Sequence, residues 1–231
     1  MREAAIVLEA LVSRFRFNLV PGARVEVAPL VTLRPAGPVM LCASDRAQGS
    51  SEERIRRVTV GEPVIHNGTI ELAEYDPRWP AQFEKHAARI VAALGAAARR
   101  VEHVGSTSVP GLAAKPFVDV CLEVSDSSDE PAYVPALESA GYALRIREPD
   151  WYEHRMFEAL EGGVKLHVFS QGCPEVRRMV LFRDRLRESD EDRDLYARAK
   201  RALAGRQWKY VQNYADAKSA VIEEILARAL R

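Results

Sequence analysis

Hydrophobic and polar positions follow two different periods after residue 70, which predicts a domain that mixes helices with strands. Apolar side chains recur at helical spacing from Phe83 to Leu94, between a helix-start signal at Asp76-Pro77 and Gly95, which can end a helix. The pattern predicts strands over 99–104 and 117–124, a helix over 131–140, a β-hairpin of 152–160 with 164–170, and helices over 174–188, 191–204 and 209–231. We therefore expect an α/β fold with a mixed (α+β) sheet and C-terminal helices over residues 71–231.

The first 70 residues have a different pattern. Apolar residues at helical spacing predict a helix from Glu3 to Phe17, and short β-like runs follow at 24–28 and 30–33 between Pro/Gly turns. Residues 46–70 are polar and charged, which is typical of a linker. The expected organisation is a helix/β appendage over 1–45, a linker over 46–70 and the α/β domain after it.

Charge and cysteine content exclude some classes of protein. Lys+Arg and Asp+Glu both total 33, so no net field would draw the chain to nucleic acid, and no apolar stretch is long enough to cross a membrane. The cysteines Cys42, Cys121 and Cys173 form no C-x-x-C pair and fit reduced thiols. We expect a cytoplasmic protein that binds neither nucleic acid nor membrane, and the pattern specifies no oligomeric state.

The residues with the clearest chemical signal lie between the first two predicted strands of the domain. Gly105, Ser106 and Thr107 follow one strand, and Asp119 lies on the next. Glycine allows a phosphate to approach the backbone, the hydroxyl residues offer donors, and Lys115 could add a positive charge. The loop is thus predicted to bind phosphate, with an ordinary Gly/Pro turn as the alternative.

Motifs that occur in order over most of the chain extend this hypothesis: YDPRWPAQFEKH, VEHVGSTSVPGLAAKPFVDV, KLHVF, FRDRLR, YARAK and YADAKSAVI. Together they resemble the GrpB (UPF0157) family from about residue 71 to 230. The resemblance implies a nucleotidyltransferase fold, in which a Gly-Ser pair holds phosphate and acids on neighbouring strands hold Mg²⁺. It also implies a link to CoA metabolism, because such domains are found fused to dephospho-CoA kinase.

Active nucleotidyltransferases carry three acids, and this sequence retains one. Asp119 matches the first position, whereas Cys121 occupies the second and His167 corresponds best to the third. Glu123 shares the face of Asp119 but lies about 7 Å further along the strand. Asp119 and His167 are predicted to hold a divalent ion (Mg²⁺, Mn²⁺ or Zn²⁺), with His103 and His154 as further candidate ligands. The alternatives are a His167 that only forms a hydrogen bond within the sheet, and a Cys121 that is a buried apolar residue.

Several basic residues are further candidates. Arg155 could bind a phosphate with its two-pronged guanidinium group, although a surface arginine is an equal alternative. The five arginines between 177 and 187 spread around a predicted helix and favour a solvated surface, with a structural pair of Arg183 and Asp184, or a place for both in the cleft, as the alternative. Lys200 and Lys218 each follow a tyrosine at helical i, i+4 spacing, and either point into the site or pack their stems on the helix.

The appendage carries a second resemblance. Residues 3–42 contain a helical pattern followed by Val31-Thr32-Leu33-Arg34-Pro35, and they are similar to the C-terminal tail of bacterial cytochromes P450. The cysteine loop that would bind haem iron is absent from this segment, so we expect no haem. We interpret the appendage as a fusion remnant or the product of a misplaced start codon.

Two functional hypotheses follow. In the first, the domain binds a nucleotide or phosphorylated small molecule and, with a metal ion, transfers a nucleotidyl or related group. In the second, it is an inactive relative that binds a nucleotide or CoA-like ligand without turnover, as the missing carboxylates suggest. An RNA-associated module is a weaker alternative, because the net charge is zero and no aromatic stacking stripe is present.

Overall fold

A computed structural model describes residues 51–230 and four short strands of the N-terminal region. The chain divides into two compact units, residues 1–55 and residues 56–231. In the first unit, β1 (Phe15–Leu19) pairs antiparallel with β4 (Leu41–Asp45), and β2 (Val27–Ala28) pairs antiparallel with β3 (Arg34–Pro35).

The predicted N-terminal helix is only partly covered by the described residues. Residues 3–14 lie outside them, and residues 15–17 belong to β1 instead of the helix. Phe15, Phe17 and Leu19 alternate with polar residues, and this period of two is typical of a strand. The helical spacing of the preceding residues therefore does not continue into this segment.

The segment predicted as a linker contains regular structure. Helix α1 (Ser51–Val58) has acidic residues in its first turn and basic residues in its last, an arrangement that favours a helix through its dipole. Further along, Ile70 is buried and its N–H donates to the carbonyl of Ala204, while Gly68 and Trp208 exchange two backbone hydrogen bonds. Residues 68–70 are thus held against the C-terminal helices.

A five-stranded mixed sheet forms the centre of the second unit. Its strands are β5 (Arg100–Val104), β6 (Val118–Val124), β7 (Tyr142–Glu148), β8 (His154–Ala159) and β9 (Val164–Ser170). They lie in the order β5-β6-β9-β8-β7, with β6 and β9 parallel and the other neighbours antiparallel. The predicted strands and the β8–β9 hairpin are confirmed, but β7 was not predicted.

The two faces of the sheet are covered differently. One face packs Val118, Val120 and Leu122 of β6 against helices α2 (Trp79–Leu94) and α3 (Val134–Ser139). On the other face, Cys121 and Phe169 pack against helix α4 (Pro174–Glu188). Because α4 covers only part of that face, the end of β6 that carries Asp119 stays partly open, and Asp119 keeps 31% of its side chain exposed.

Three more helices complete the unit: α5 (Asp190–Ala204), α6 (Val211–Ala217) and α7 (Ser219–Ala229). A buried cluster joins α4, α5 and α7 to the loop after β5, through Leu112, Leu186, Tyr196 and Ile225. The helix predicted over 209–231 is therefore two helices that meet at Lys218. In the part of the chain that the structure describes, none of the helices combines the length and apolarity needed to cross a bilayer.

Candidate functional site

The loop after β5 and the carboxylate of β6 are in direct contact. Val104, the last residue of β5, is the register partner of Asp119. The next residue, Gly105, has φ +69°, and a Cβ atom there would lie 2.3 Å from Oδ2 of Asp119. Only glycine fits both the backbone conformation and this space. The structure thus brings together Gly105 and Asp119, as the sequence predicts.

The hydroxyl residues of the loop differ in their surroundings. Residues Ser106–Ser108 form a short 3-10 turn, in which Oγ of Ser106 accepts a hydrogen bond of 3.0 Å from Nζ of Lys200. Thr107 is 1% exposed, and its hydroxyl is hydrogen-bonded to Nε2 of His103 at 3.1 Å. Ser106 is half-buried in the turn, whereas the Thr107 side chain points into the interior and could serve a phosphate site only through its backbone.

Asp119 and His167 lie side by side on the partly open face. In the parallel β6–β9 pair, Asp119 is in register with Lys165 and Cys121 with His167, so all four side chains share one face. Oδ1 of Asp119 is 3.7 Å from Nε2 of His167. Burial acts to raise the pKa of Asp119, but His167 and the charges of Lys165 and Lys115 outweigh it, so this pKa lies below its usual value. The carboxylate is ionised at neutral pH.

A chain of hydrogen bonds orients the His167 ring from behind. Nδ1 of His154 lies 2.8 Å from a carboxylate oxygen of Glu148, and Nε2 of His154 lies 3.0 Å from Nδ1 of His167. Burial lowers the pKa of His154 to about 4, despite the opposing effect of Glu148, so this histidine is neutral at pH 7. Since a carboxylate only accepts, the neutral His154 donates through Nδ1 and accepts at Nε2.

The tautomer of His167 follows from this chain. Its Nδ1 donates to Nε2 of His154, which leaves Nε2 facing Asp119. With a proton on Nε2 the two residues form an ion pair at 3.7 Å, and without that proton Nε2 offers a lone pair to a cation. A carboxylate oxygen and an imidazole nitrogen at this separation fit a shared divalent ion, and an imidazole whose other nitrogen is hydrogen-bonded is the usual form of a metal-binding histidine.

The other candidate metal ligands do not join this pair. His103 lies on the opposite face, where it stacks on Phe83 with ring centroids 4.8 Å apart. His154 is behind His167 rather than beside Asp119. Within the described residues, no group of three or more His, Cys, Asp and Glu side chains has the arrangement of a metal site. Further ligands of an ion at Asp119 and His167 would then be water, a bound molecule, or hydroxyl and carbonyl oxygens of the protein.

Cys121 and Glu123, further along the same face, are covered by α4. Cys121 is 1% exposed, and burial together with the nearby Glu123 raises the pKa of its thiol to about 12. Glu123 is also buried, and its carboxylate accepts a hydrogen bond from the backbone N–H of Gly172. The second acid position is therefore an inert thiol, and Glu123 has a structural partner elsewhere.

Arg155 lies apart from this site, contrary to the sequence-based prediction. Its register partner is Val168, so it lies on the face opposite His167. The guanidinium is bound by Glu130, at 2.6 Å, and by Glu153, at 3.2 Å. Because Arg155 is bound by two carboxylates on the face of the sheet opposite Asp119 and His167, it cannot reach a ligand at Asp119. Its position in the sequence did not show this, because the face depends on the β8–β9 register.

Lys115 lies close to the site, as predicted, and it is accompanied by a lysine that the sequence analysis did not select. Burial, reinforced by the charges of Lys165 and Lys218 and opposed by Asp119, lowers the pKa of Lys115 to about 8. Lys165 precedes His167 by two residues on β9 and therefore shares its face. This i, i+2 spacing was visible in the sequence and could have identified Lys165.

Fold and site together define a class of protein: an α+β domain with a mixed sheet, consistent with a nucleotidyltransferase-like architecture, in which a Gly-Ser turn meets a single carboxylate and a histidine. The model of the GrpB protein family matches residues 69–228. The chain belongs to the GrpB family.

Individual relatives agree with this assignment. A UPF0157 protein of Halalkalibacterium halodurans is 55% identical over 80% of this chain and 95% of its own length. The crystal structure of the conserved protein GrpB from Enterococcus faecalis superposes with a TM-score of 0.58, at 28% identity, over 69% of this chain and 97% of that one. The comparisons give no support to the resemblance of residues 3–42 to a cytochrome P450 tail.

A more distant similarity connects the chain to a larger protein. A dephospho-CoA kinase of Mycolicibacterium paratuberculosis is 28% identical over 80% of this chain, and the aligned region is 52% of that kinase. The shared part is thus about half of a protein whose name describes an enzyme of CoA metabolism.

Proposed function

We propose that the domain binds a nucleotide or another phosphorylated small molecule at the Gly105–Ser106 turn, with a divalent ion between Asp119 and His167, and that it transfers a nucleotidyl or related group. The observation that carries this proposal is the carboxylate of Asp119 beside the ring of His167 on the partly open face, with Oδ1 3.7 Å from Nε2. A carboxylate oxygen and an imidazole nitrogen placed together in this way are a donor set that divalent ions use.

Each residue of the site would have a separate role in binding or transfer. A divalent ion, when bound, would offset the negative charge of the phosphates and polarise the group that is transferred. Gly105 allows the ligand to approach the backbone closely, and the Ser106 hydroxyl can contact a phosphate oxygen. Glu148 and His154 hold the His167 ring in the orientation and tautomer that present Nε2 to the ion.

The direct test compares turnover in wild type and Asp119→Asn. Each purified full chain is incubated with a panel of nucleoside triphosphates and with Mg²⁺, Mn²⁺ or Zn²⁺, and the products are separated by chromatography. We expect product from the wild type and at least about a hundredfold less from Asp119→Asn, because the amide weakens the cation site. The matched control is Asp126→Asn, an exposed acid in a loop. Equal turnover in wild type and Asp119→Asn would exclude Asp119 from the reaction.

One observation favours a second candidate, binding without turnover. The position of the second metal-binding acid is Cys121, a buried thiol that is not ionised near neutral pH. A site with one carboxylate could keep ligand affinity and lose the two-ion chemistry. The similarity to a dephospho-CoA kinase makes CoA and its precursors candidate ligands.

Thermal unfolding with ligands separates the two candidates. A rise in Tm with a nucleotide, dephospho-CoA or CoA, without any product, would favour binding alone, because a ligand stabilises the folded state that it binds. Product formation would favour transfer. An unchanged Tm with all of these ligands and with all three ions would contradict both candidates.

A further inference from the structure

Lys200 is a buried lysine without a counter-ion. It is 2% exposed, its Nζ donates to Oγ of Ser106 and to the carbonyl oxygen of Ala113, and Nζ lies 4.9 Å from the centre of the Tyr196 ring. Burial lowers the pKa of Lys200 to about 7, so its charge is costly in the empty site. A nearby anion reduces that cost and favours the protonated form. The position of Lys200 behind Ser106 therefore favours an anion in front of the turn.

Three more lysines surround the same end of the sheet. Nζ of Lys115 is 5.7 Å and Nζ of Lys218 is 4.8 Å from the centre of the Tyr214 ring, so both ammonium groups lie next to the same aromatic ring. Lys165 is the register neighbour of Asp119 and lies over Phe117. The charges of Lys165 and Lys218 both act on Lys115. Together, these residues form the lysine cluster: Lys115, Lys165, Lys200 and Lys218.

The lysine cluster is not neutralised by the protein. Among the described residues, no carboxylate forms an ion pair with any of its members, and Asp119 is the acid whose charge acts on Lys115. Surface lysines of this protein are paired where an acid is near, as Lys85 is with Glu161 at 3.6 Å. Ammonium groups that lack a paired carboxylate are expected of a site that an anionic ligand completes.

We infer that the lysine cluster binds the phosphate chain of a di- or triphosphate rather than a single phosphate group. This inference rests on the proposed function and specifies its ligand. A single phosphate carries at most about two negative charges, half of the charge of the four lysines when a bound anion keeps them all protonated. A chain of two or three phosphates can extend from the Ser106–Lys200 contact to the pair of lysines on Tyr214. The cation at Asp119 would lie beside this chain.

The lysines come from separate parts of the chain, which gives the cluster a role in assembly of the site. Lys115 precedes β6, Lys165 is on β9, Lys200 is in α5 and Lys218 joins α6 to α7. Like charges brought together from four places destabilise the empty site through their repulsion. A polyanion that contacts all of them would tie the C-terminal helices to the sheet.

The inference is tested with inorganic anions, which separate the phosphate chain from any base or sugar. The full chain, with EDTA present, is titrated calorimetrically with tripolyphosphate, pyrophosphate and orthophosphate. We expect tripolyphosphate to bind more tightly than orthophosphate by at least about a hundredfold, because each added charged contact contributes about a factor of ten. Orthophosphate affinity equal to that of tripolyphosphate would overturn the inference.

Variants assign the binding to the lysine cluster. Lys165→Gln and Lys218→Gln, both at half-buried positions, should each weaken tripolyphosphate binding about tenfold. Lys85→Gln, on α2, is the matched control and should bind as wild type does. Circular dichroism verifies that each variant is folded. Unchanged affinity in both Lys165→Gln and Lys218→Gln would overturn the inference.

The variant Asp119→Asn separates this inference from the proposed function. Metal-free tripolyphosphate binding should persist in Asp119→Asn, because the lysine cluster is intact and a negative charge has been removed. If tripolyphosphate binds through the lysines but no nucleotide or divalent ion binds, the proposed function fails and the inference stands. If AMP binds as tightly as ATP, with an ion that depends on Asp119, the inference fails and the proposed function stands.

Discussion

Gly105 is the residue on which the geometry of the site most depends. A methyl group at this position would overlap the Asp119 carboxylate, and the backbone has a positive φ that other residues adopt only with strain. Gly111, six residues later, also has a positive φ (+75°), but a Cβ atom there meets nothing within 4 Å. Substitution of Gly111 would therefore cause backbone strain alone, whereas substitution of Gly105 would cause both backbone strain and steric overlap with Asp119.

We predict that Gly105→Ala lowers the free energy of unfolding by about 3 kcal/mol, whereas Gly111→Ala lowers it by about 1 kcal/mol. The difference is the cost of displacing Asp119. Urea denaturation measures both values, and Mn²⁺ titration should show lost ion binding in Gly105→Ala alone. Similar unfolding energies for the two variants would mean that the carboxylate moves aside without cost.

At the scale of elements, two arginines of helix α4 form hydrogen bonds with β5 and with the turn that follows it. Arg183 donates to a carboxylate oxygen of Glu102 at 2.6 Å and to the carbonyl oxygen of His103 at 3.0 Å. Arg187 donates twice to the carbonyl oxygen of Ser108. The arginines of α4 were predicted to form a solvated surface, with a structural pair of Arg183 and Asp184 as the alternative. Arg183 does bind Asp184, at 2.7 Å, and Arg183 and Arg187 also tie the helix to β5 and to the turn after it.

Arg183→Gln should therefore lower the free energy of unfolding by about 2 kcal/mol, since the Glu102 carboxylate loses a charged hydrogen bond. The exposed Arg177 of the same helix provides the control, and Arg177→Gln should stay within about 0.5 kcal/mol of wild type. Chemical denaturation measures both. A change of equal size in the two variants would contradict the proposed tie between α4 and β5.

The sequence predicted those elements whose signals are local. Strand alternation placed Asp119 and Cys121 on one face of β6, and Gly95 marked the end of α2 correctly. The strand β7 was missed although Tyr142, Leu144 and Ile146 alternate with other residues. What could not be predicted depends on register between distant strands: the face of Arg155 and the contact of His154 with His167.

At the scale of the whole molecule, buried histidines make stability depend on pH. Burial lowers the pKa values of His103 and His154 to about 4, from 6.5, and also lowers that of His86. The unfolded chain therefore binds protons between pH 6.5 and 4 that the folded chain does not. The contribution of these histidines to the free energy of unfolding is fully present above pH 6.5 and is lost as the pH falls towards 4.

The expected loss is up to about 3 kcal/mol for each of His103 and His154 between pH 6.5 and 4. Urea denaturation at intervals of pH measures it. His103→Gln should be less stable at pH 7, because the Thr107 contact is altered, but its stability should fall less steeply with acid. His66→Gln, at an exposed position, should reproduce the wild-type slope. A slope unchanged in His103→Gln would contradict the role of His103.

The contact between Gly105 and Asp119 also has a consequence for the entropy of binding. A carboxylate wedged against the backbone of a neighbouring turn has few rotamers left, and the His167 ring is similarly fixed by His154. The conformational entropy of these side chains is then lost during folding rather than when a ligand arrives. Association should consequently cost little reordering, and the turn and the carboxylate should move as one body whenever either moves.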